Sequence, residues 1–231
     1  MKMSLPMRPL ALLALFALSI LFDSCKKSDA PDDPTKGFTT QIQNIVPTTI
    51  IDDLRTRGMT INEGKVPPAL AGTIIVASPW ELLSPYGTED SWQKGKVIAD
   101  YKYKFYEQTT DGKIKYDYKN DGSDTGSGKG AFISGNGNSF TIFSEDIGVS
   151  KTINYKTITV MSGEITDAGI KNFQYAFVLK EKTNDDNNSA LIPVGKGRIW
   201  IDSDKLATKT TSFRLAAQGE ASPIVSMLTA N

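Results

Sequence analysis

From residue 73 onward the apolar side chains of this chain recur at every second position, the pattern of strands that turn one face to a core. Runs of this kind cover residues 73–77, 96–109, 113–119, 130–134, 139–144, 151–162, 172–183 and 197–202, separated by clusters of Gly, Asn and Asp. Eight runs with little helix between them predict an all-β antiparallel domain. Most connections are short, so neighbours in sequence are expected to be neighbours in the sheet. An up-and-down barrel satisfies that order and leaves no exposed edge; a two-sheet β-sandwich is the alternative. Ahead of the strands, Val46, Ile50, Ile51 and Leu54 share a helical face, Pro47 suits a first turn and Gly58 a left-handed cap. One short N-terminal helix is therefore expected.

The alternation also assigns faces. Asp111-Gly112 is a strong two-residue turn signal, and a tight turn there pairs Thr110 with Lys113, Glu107 with Tyr116 and Phe105 with Tyr118. Val97, Ala99, Tyr101, Tyr103, Phe105 and Glu107 then share the inner face with Ile114, Tyr116 and Tyr118. The opposite face carries Lys102, Lys104, Lys115 and Lys119, with Lys104 across from Lys119, which reads either as an anion-binding stripe or as a solvated face. Later, Phe173, Tyr175, Phe177 and Leu179 form one inward set, and Phe140 with Ile142 another. Ile153 and Tyr155 fall out of step with Ile158 and Val160, so a bulge near Lys156 or Thr157 is expected. Buried tyrosines need hydrogen-bond partners, so Tyr101, Tyr103, Tyr116 and Tyr175, with Glu107, are candidate ligand-binding residues lining a polar-tipped interior. Trp80, Tyr86 and Trp92 fall in the long connection from residue 78 to 95, where they would either stack on a ligand or plug the barrel end; Trp80 and Trp92 join the candidate set.

The N-terminus has a different pattern. Lys2 and Arg8 precede an apolar run over residues 10–22, and small Ser24 precedes Cys25, the only cysteine of the chain. That layout is a secretory signal, too short to span a bilayer comfortably. Leu21-Phe22-Asp23-Ser24-Cys25 resembles the lipobox of bacterial lipoproteins, which implies that residues 1–24 are removed and that Cys25 is lipidated and anchors the chain to a membrane. Residues 25–39 are charged, proline-rich and nearly free of apolar side chains, the composition of a solvated tether. Its acidic stretch resembles the export signals of surface-exposed lipoproteins, and Lys26 stands where an inner-membrane retention aspartate would be. An outer-membrane location with display at the cell surface is the expectation.

Composition narrows the function of the remaining part, about 205 residues. The 26 basic and 26 acidic residues balance, so no overall field favours nucleic acid. Histidine is absent. That removes the usual neutral-pH proton shuttle, the Ser-His-Asp triad and the common zinc sites. Residues 122–130 depart from the phosphate-loop spacing at Ser123 and Gly130 and open no helix, and residues 117–128 lose calcium-loop ligands at Lys119 and Gly128. No cofactor or metal is expected, and no catalytic residue is assigned.

The segments Met59-Thr60-Ile61-Asn62-Glu63-Gly64, Pro67-Pro68-Ala69-Leu70-Ala71-Gly72 and Ile133-Ser134-Gly135-Asn136-Gly137-Asn138-Ser139-Phe140 resemble parts of small bacterial lipoproteins with a lipocalin-type barrel. The resemblance implies a barrel over residues 40–204 and no particular functional residues. Residues 205–231 show no convincing period beyond a candidate strand at 212–217. The expected function is a membrane-anchored binding or accessory module for a small lipophilic or glycan ligand, not an enzyme. Two alternatives stay open: a carboxylate-dependent carbohydrate-active enzyme whose acid pair would come from Glu107, Glu181 and nearby aspartates, and a structural subunit with an envelope protein as partner.

Overall fold

The computed structural model of the chain describes residues 37–120, 125–150, 152–187, 190–213 and 227–230. Among these are two helices, α1 (Thr40–Ile45) and α2 (Thr48–Thr56). The strands are β1 (Lys65–Val66), β2 (Ile74–Ala77), β3 (Trp80–Ser84), β4 (Val97–Ile98), β5 (Tyr101–Tyr106), β6 (Lys113–Asn120), β7 (Thr125–Asn136), β8 (Ser139–Ser150), β9 (Ile153–Ile165), β10 (Gly169–Lys182), β11 (Gly197–Asp202) and β12 (Leu206–Lys209). They pair in the order β12-β2-β5-β6-β7-β8-β9-β10-β11-β3-β4, and β10 also pairs with β12. That last pairing closes the ring.

Three staves of the wall are each made of two strands in line. β11 and β12 run along β10 at Val178 to Gln174 and then at Lys171 to Gly169; β3 and β2 run along β11 and β12; β4 and β5 run along β3 and β2. The result is the closed eight-stranded antiparallel barrel expected from the alternation, in up-and-down order. Pro79 has no amide hydrogen to give the ladder, which interrupts the stave between β2 and β3, and Lys205 at φ 65° interrupts the one between β11 and β12. There the Asn172 amide donates to the Lys205 carbonyl at 3.0 Å. The strand at 206–209 was not expected. The candidate strand at 212–217 lies mostly outside the described residues.

Two apolar clusters sit on the two sides of the wall. Ile75, Trp80, Tyr103, Phe105, Tyr116, Phe140, Phe173, Phe177 and Trp200 fill the interior, and all are 1% exposed or less. Ile42, Val46, Ile51, Leu54 and Met59 form the second cluster outside, against Phe143, Ile158, Val160, Ala176, Val178 and Ile199. The helices thus cover the outer face of β8 to β11. This corrects the bulge expected in β9: Ile158 and Val160 are out of step because they face the helices, while β9 pairs with β8 without a break. The irregularity opposite is on β10, between Leu179 and Glu181.

The single expected helix is two, with Pro47 as the cap between them. Gly58, at φ 97°, ends α2: its amide donates to the Arg55 carbonyl and the Met59 amide to Leu54, the paired bonds of a left-handed helix stop. Beyond it the chain is pinned to the barrel. The Thr60 amide donates to Gln174 Oε1 at 2.7 Å, the Asn62 amide to Thr141 Oγ1 at 2.7 Å, and Ser134 Oγ to the Asn62 carbonyl at 2.6 Å. Two of the segments that carried the lipocalin resemblance, 59–64 and 133–140, are therefore in contact. Gly64 must be glycine, since a Cβ there would stand 2.3 Å from the Gly135 carbonyl oxygen.

The β5–β6 hairpin has the expected faces and a different register. Phe105 pairs with Tyr116, Tyr103 with Tyr118 and Lys104 with Asp117. The strands have slid by two residues because the turn is wider, running from Thr109 to Lys113 with Glu107 at φ 49°. A slide of two leaves every side chain on its own face. It also removes the Lys104–Lys119 pair and places Lys102 across from Lys119. Lys104 lies across from Asp117 and Lys115 pairs with Glu107, so much of the lysine stripe is neutralised.

Candidate functional site

The connections 85–96 and 183–196 and residues 227–230 lie at one end of the barrel, called the upper end here. The turns 107–112, 137–138 and 166–168 lie at the lower end, where Gly37 meets Gly64. The chain therefore enters the described domain from below.

Half of the upper end is plugged. Arg198 on β11 is fully buried, and its guanidinium donates from Nε to Asp90 Oδ2 at 2.9 Å and from Nη2 to Oδ1 at 2.5 Å. Its remaining nitrogen donates to the carbonyls of Met227 and Thr229, and the Trp92 ring centre stands 4.3 Å from the guanidinium carbon. Burial works to raise the Asp90 carboxyl, but Arg198 and the amides of Trp92 and Tyr86 hold it below its ordinary range. A second buried pair, Lys182 with Asp185 at 2.7 Å, ties down the β10–β11 connection, with Lys182 also donating to the carbonyls of Leu191 and Ile192. These pairs join segments that share no sheet, so they are what closes this side.

The other half of the same end, toward β6 and β8, contains tyrosines and a carboxyl. Tyr101, Tyr103 and Tyr116 are 3% exposed or less, and Tyr118, across from Tyr103, is partly open. The Tyr118 ring lies 6.4 Å from Tyr101, 6.0 Å from Tyr103 and 6.3 Å from Tyr116, which makes one aromatic wall. Gly128 on β7 leaves room for it, since a Cβ there would lie 2.0 Å from the Tyr116 ring. Facing the wall from β8, Ser144 Oγ lies 2.9 Å from Tyr116 Oη, and both hydroxyls donate toward Asp146 Oδ2, at 3.1 Å and 3.4 Å. Burial pushes the Asp146 carboxyl up, against the opposing pull of Thr159, Ser144 and Tyr116. Burial likewise raises the phenols of Tyr103 and Tyr116 far above their usual range, so all these hydroxyls stay protonated donors.

The candidate residues named from the sequence separate into three groups. Tyr101, Tyr103, Tyr116 and Tyr175 are brought together inside the barrel, as their alternation implied. Trp80 is corrected: it is not in a loop but is the buried first residue of β3, against Tyr103, Phe173 and Tyr175. Trp92 stays in the connection, packed edge-on against Trp200 at 5.7 Å as part of the plug. Glu107 is also corrected, because the wider turn carries it to the exposed lower end, paired with Lys115. Glu181 is exposed near the upper end, beside Lys156. Glu107 and Glu181 thus stand toward opposite ends of the barrel and do not form an acid pair with each other. Sequence reasoning missed Ser144 and Asp146, although both continue the inward frame of Phe140 and Ile142 as polar residues.

Asp202 is a further buried carboxyl, on the same face as Arg198 and Trp200. Ser78 donates its amide to Oδ1 at 3.0 Å, and exposed Asp204 lies beside it. Burial and the nearby Asp204 push its carboxyl up to about 7. The folded state therefore binds this proton more tightly than the unfolded chain. The stability this gives is complete below about pH 4 and is lost as pH rises through 7. We expect Asp202→Asn to be the more stable protein at pH 8, by about 2 kcal/mol after allowance for solvent screening at Asp204, with the difference vanishing near pH 4. Denaturation curves at the two pH values check this; equal midpoints at pH 8 would remove the strained carboxyl from the account.

Comparison with known proteins finds no matching family model, no matching curated protein and no matching solved structure.

Proposed function

We propose that this chain is a lipid-anchored, non-catalytic binding module of the bacterial envelope, holding a small ligand in the upper half of its barrel. The observation that carries the reading is the Tyr116, Ser144 and Asp146 network, on the inner face of the barrel and partly open at Tyr118 and Asp146. A barrel that needed only a filled core would have no use for a carboxyl there, since an unpaired buried charge costs stability. Thr157 Oγ1 and Trp200 Nε1 add to this: both are buried and meet no hydrogen-bond partner among the described residues. Orphaned polar groups of this kind are where a ligand or ordered water is expected.

The anchor belongs to the same reading. With Cys25 acylated, residues between it and Gly37 reach at most about 40 Å when extended. Gly37, where the described domain begins, lies at the lower end of the barrel, opposite the mouth.

The test is native mass spectrometry of the full mature chain, extracted in mild detergent from a bacterial envelope. Extra mass beyond the lipid anchor, released on denaturation, is the expected result. A mass fully explained by polypeptide and anchor would shift the weight to a second reading, contact with an envelope protein. That reading is favoured by Val97, Ile147, Val149 and Val194, each more than half exposed and all toward the upper end.

A further inference from the structure

Among the described residues, the charges buried in the upper half of the barrel do not balance. Its two buried cations are already engaged, Lys182 by Asp185 and Arg198 by Asp90. Asp146 has no basic partner among the described residues. The groups that face it are Tyr116 from β6, Ser144 from its own strand, and Thr157 and Thr159 from β9. Its neighbour Glu145 points to the outer face, where it pairs with Lys180 and Lys156. Thr157, directly across from Asp146, has a buried hydroxyl with no hydrogen-bond partner among the described residues. The wall opposite consists of Tyr101, Tyr103, Tyr116 and Tyr118.

We propose that the ligand of this site is a small organic ammonium ion, its charge set against the Asp146 carboxylate and its body against the tyrosine wall. The inference rests on the binding-module reading and narrows it to a ligand class. Each component suits a cation. A carboxylate in a poorly solvated place attracts a positive charge far more strongly than it would in water. Aromatic rings add attraction that grows as the cation is desolvated. The Thr157 hydroxyl and the second Asp146 oxygen offer acceptors that an ammonium N–H can use. A neutral lipid would leave the carboxylate uncompensated, and an anion would be repelled by it. Burial raises the proton affinity of Asp146, as it does for a carboxyl that has no counter-ion beside it.

The experiment compares three ligands of one shape on the full chain in detergent micelles, followed by calorimetry and ligand-observed NMR at pH 7.5. These are benzylamine, which is cationic, benzyl alcohol, which is neutral, and benzoate, which is anionic. Benzylamine is expected to bind at least about tenfold more tightly than benzyl alcohol, with benzoate weakest. Asp146→Asn keeps an oxygen for Tyr116 and Ser144 and should reduce that preference to within about twofold. Lowering the pH to 4 should do the same in the unaltered protein, because protonation removes the charge. Tyr118→Leu, at the partly open mouth, should weaken benzylamine severalfold with little effect on folding.

Equal binding of amine and alcohol, or a preference that survives in Asp146→Asn, overturns the cation inference and leaves the binding module in place. So does native mass spectrometry that finds a bound neutral or acidic molecule. Failure of all three compounds together with an unliganded native mass overturns both.

Discussion

Replacing Arg198 with Met is expected to lower the stability of the barrel by about 3–5 kcal/mol, the usual cost of removing one partner of a buried ion pair. The substitution leaves the Asp90 carboxylate enclosed without its guanidinium and takes the donor away from the carbonyls of Met227 and Thr229. With a total stability of roughly 5–15 kcal/mol typical of a domain, that is a large share. The loss should be local as well as global. Amide exchange in residues 85–95 and 227–230 should speed up first, because these segments are held by Arg198 and belong to no paired stave. Urea denaturation and hydrogen exchange measure the two parts. Arg198→Met combined with Asp90→Asn should recover much of the loss, since no charge is then buried alone. A single variant that unfolds within about 1 kcal/mol of the original would show that the plug is held by packing of Trp92 and Tyr86 instead.

Trp80→Ala is expected to cost about 3–5 kcal/mol by opening a void at the barrel centre. The ring contacts Tyr103, Phe173 and Tyr175 at centroid distances of 6.2, 5.4 and 6.3 Å, and none of these can move into the space without losing other contacts. Trp80→Phe should cost distinctly less. The measurement also separates two accounts of this residue. An exposed tryptophan of a binding loop would change stability by no more than about 0.5 kcal/mol and would affect only ligand uptake. A thermal or urea midpoint left unchanged by Trp80→Ala would return this residue to a loop role.

The faces of the strands were legible in the sequence, but the registers were not. Tyr101, Tyr103, Tyr116 and Tyr175 could be placed inside because a period of two survives any slide by an even number of residues. The β5–β6 slide shows the limit: the same apolar pattern fits Phe105 against Tyr118 or against Tyr116, and the width of the turn decides. Alternation also becomes silent where both faces are buried. Ile158, Val160, Ala176 and Val178 are apolar because α1 and α2 lie over them, and a single strand read alone turns that into an apparent bulge. Trp80 was misplaced for a related reason. Pro79 reads as the end of a strand, whereas the stave continues past it once β11 is there to pair with β3.

The site divides in the same way. The aromatic wall was visible because it belongs to two strands joined by one hairpin. Asp146 was not, because its partner Tyr116 lies 30 residues earlier and the run that contains it was read as ending at 144. Arg198 and Asp90 are 108 residues apart, and neither carries a local pattern that names the other.

What the sequence by itself determined is therefore what short-range chemistry determines: the eight alternating runs, the inward tyrosines, the left-handed stop at Gly58, and the signal-like layout ending at Cys25. What only the tertiary structure decided is which buried charges meet. A period of two specifies the side of a strand on which a side chain stands, but the balance of charge inside a barrel depends on distances between staves. Those distances are set by closure of the ring, which left Lys182 and Arg198 with carboxylates of their own and, among the described residues, Asp146 without a cation.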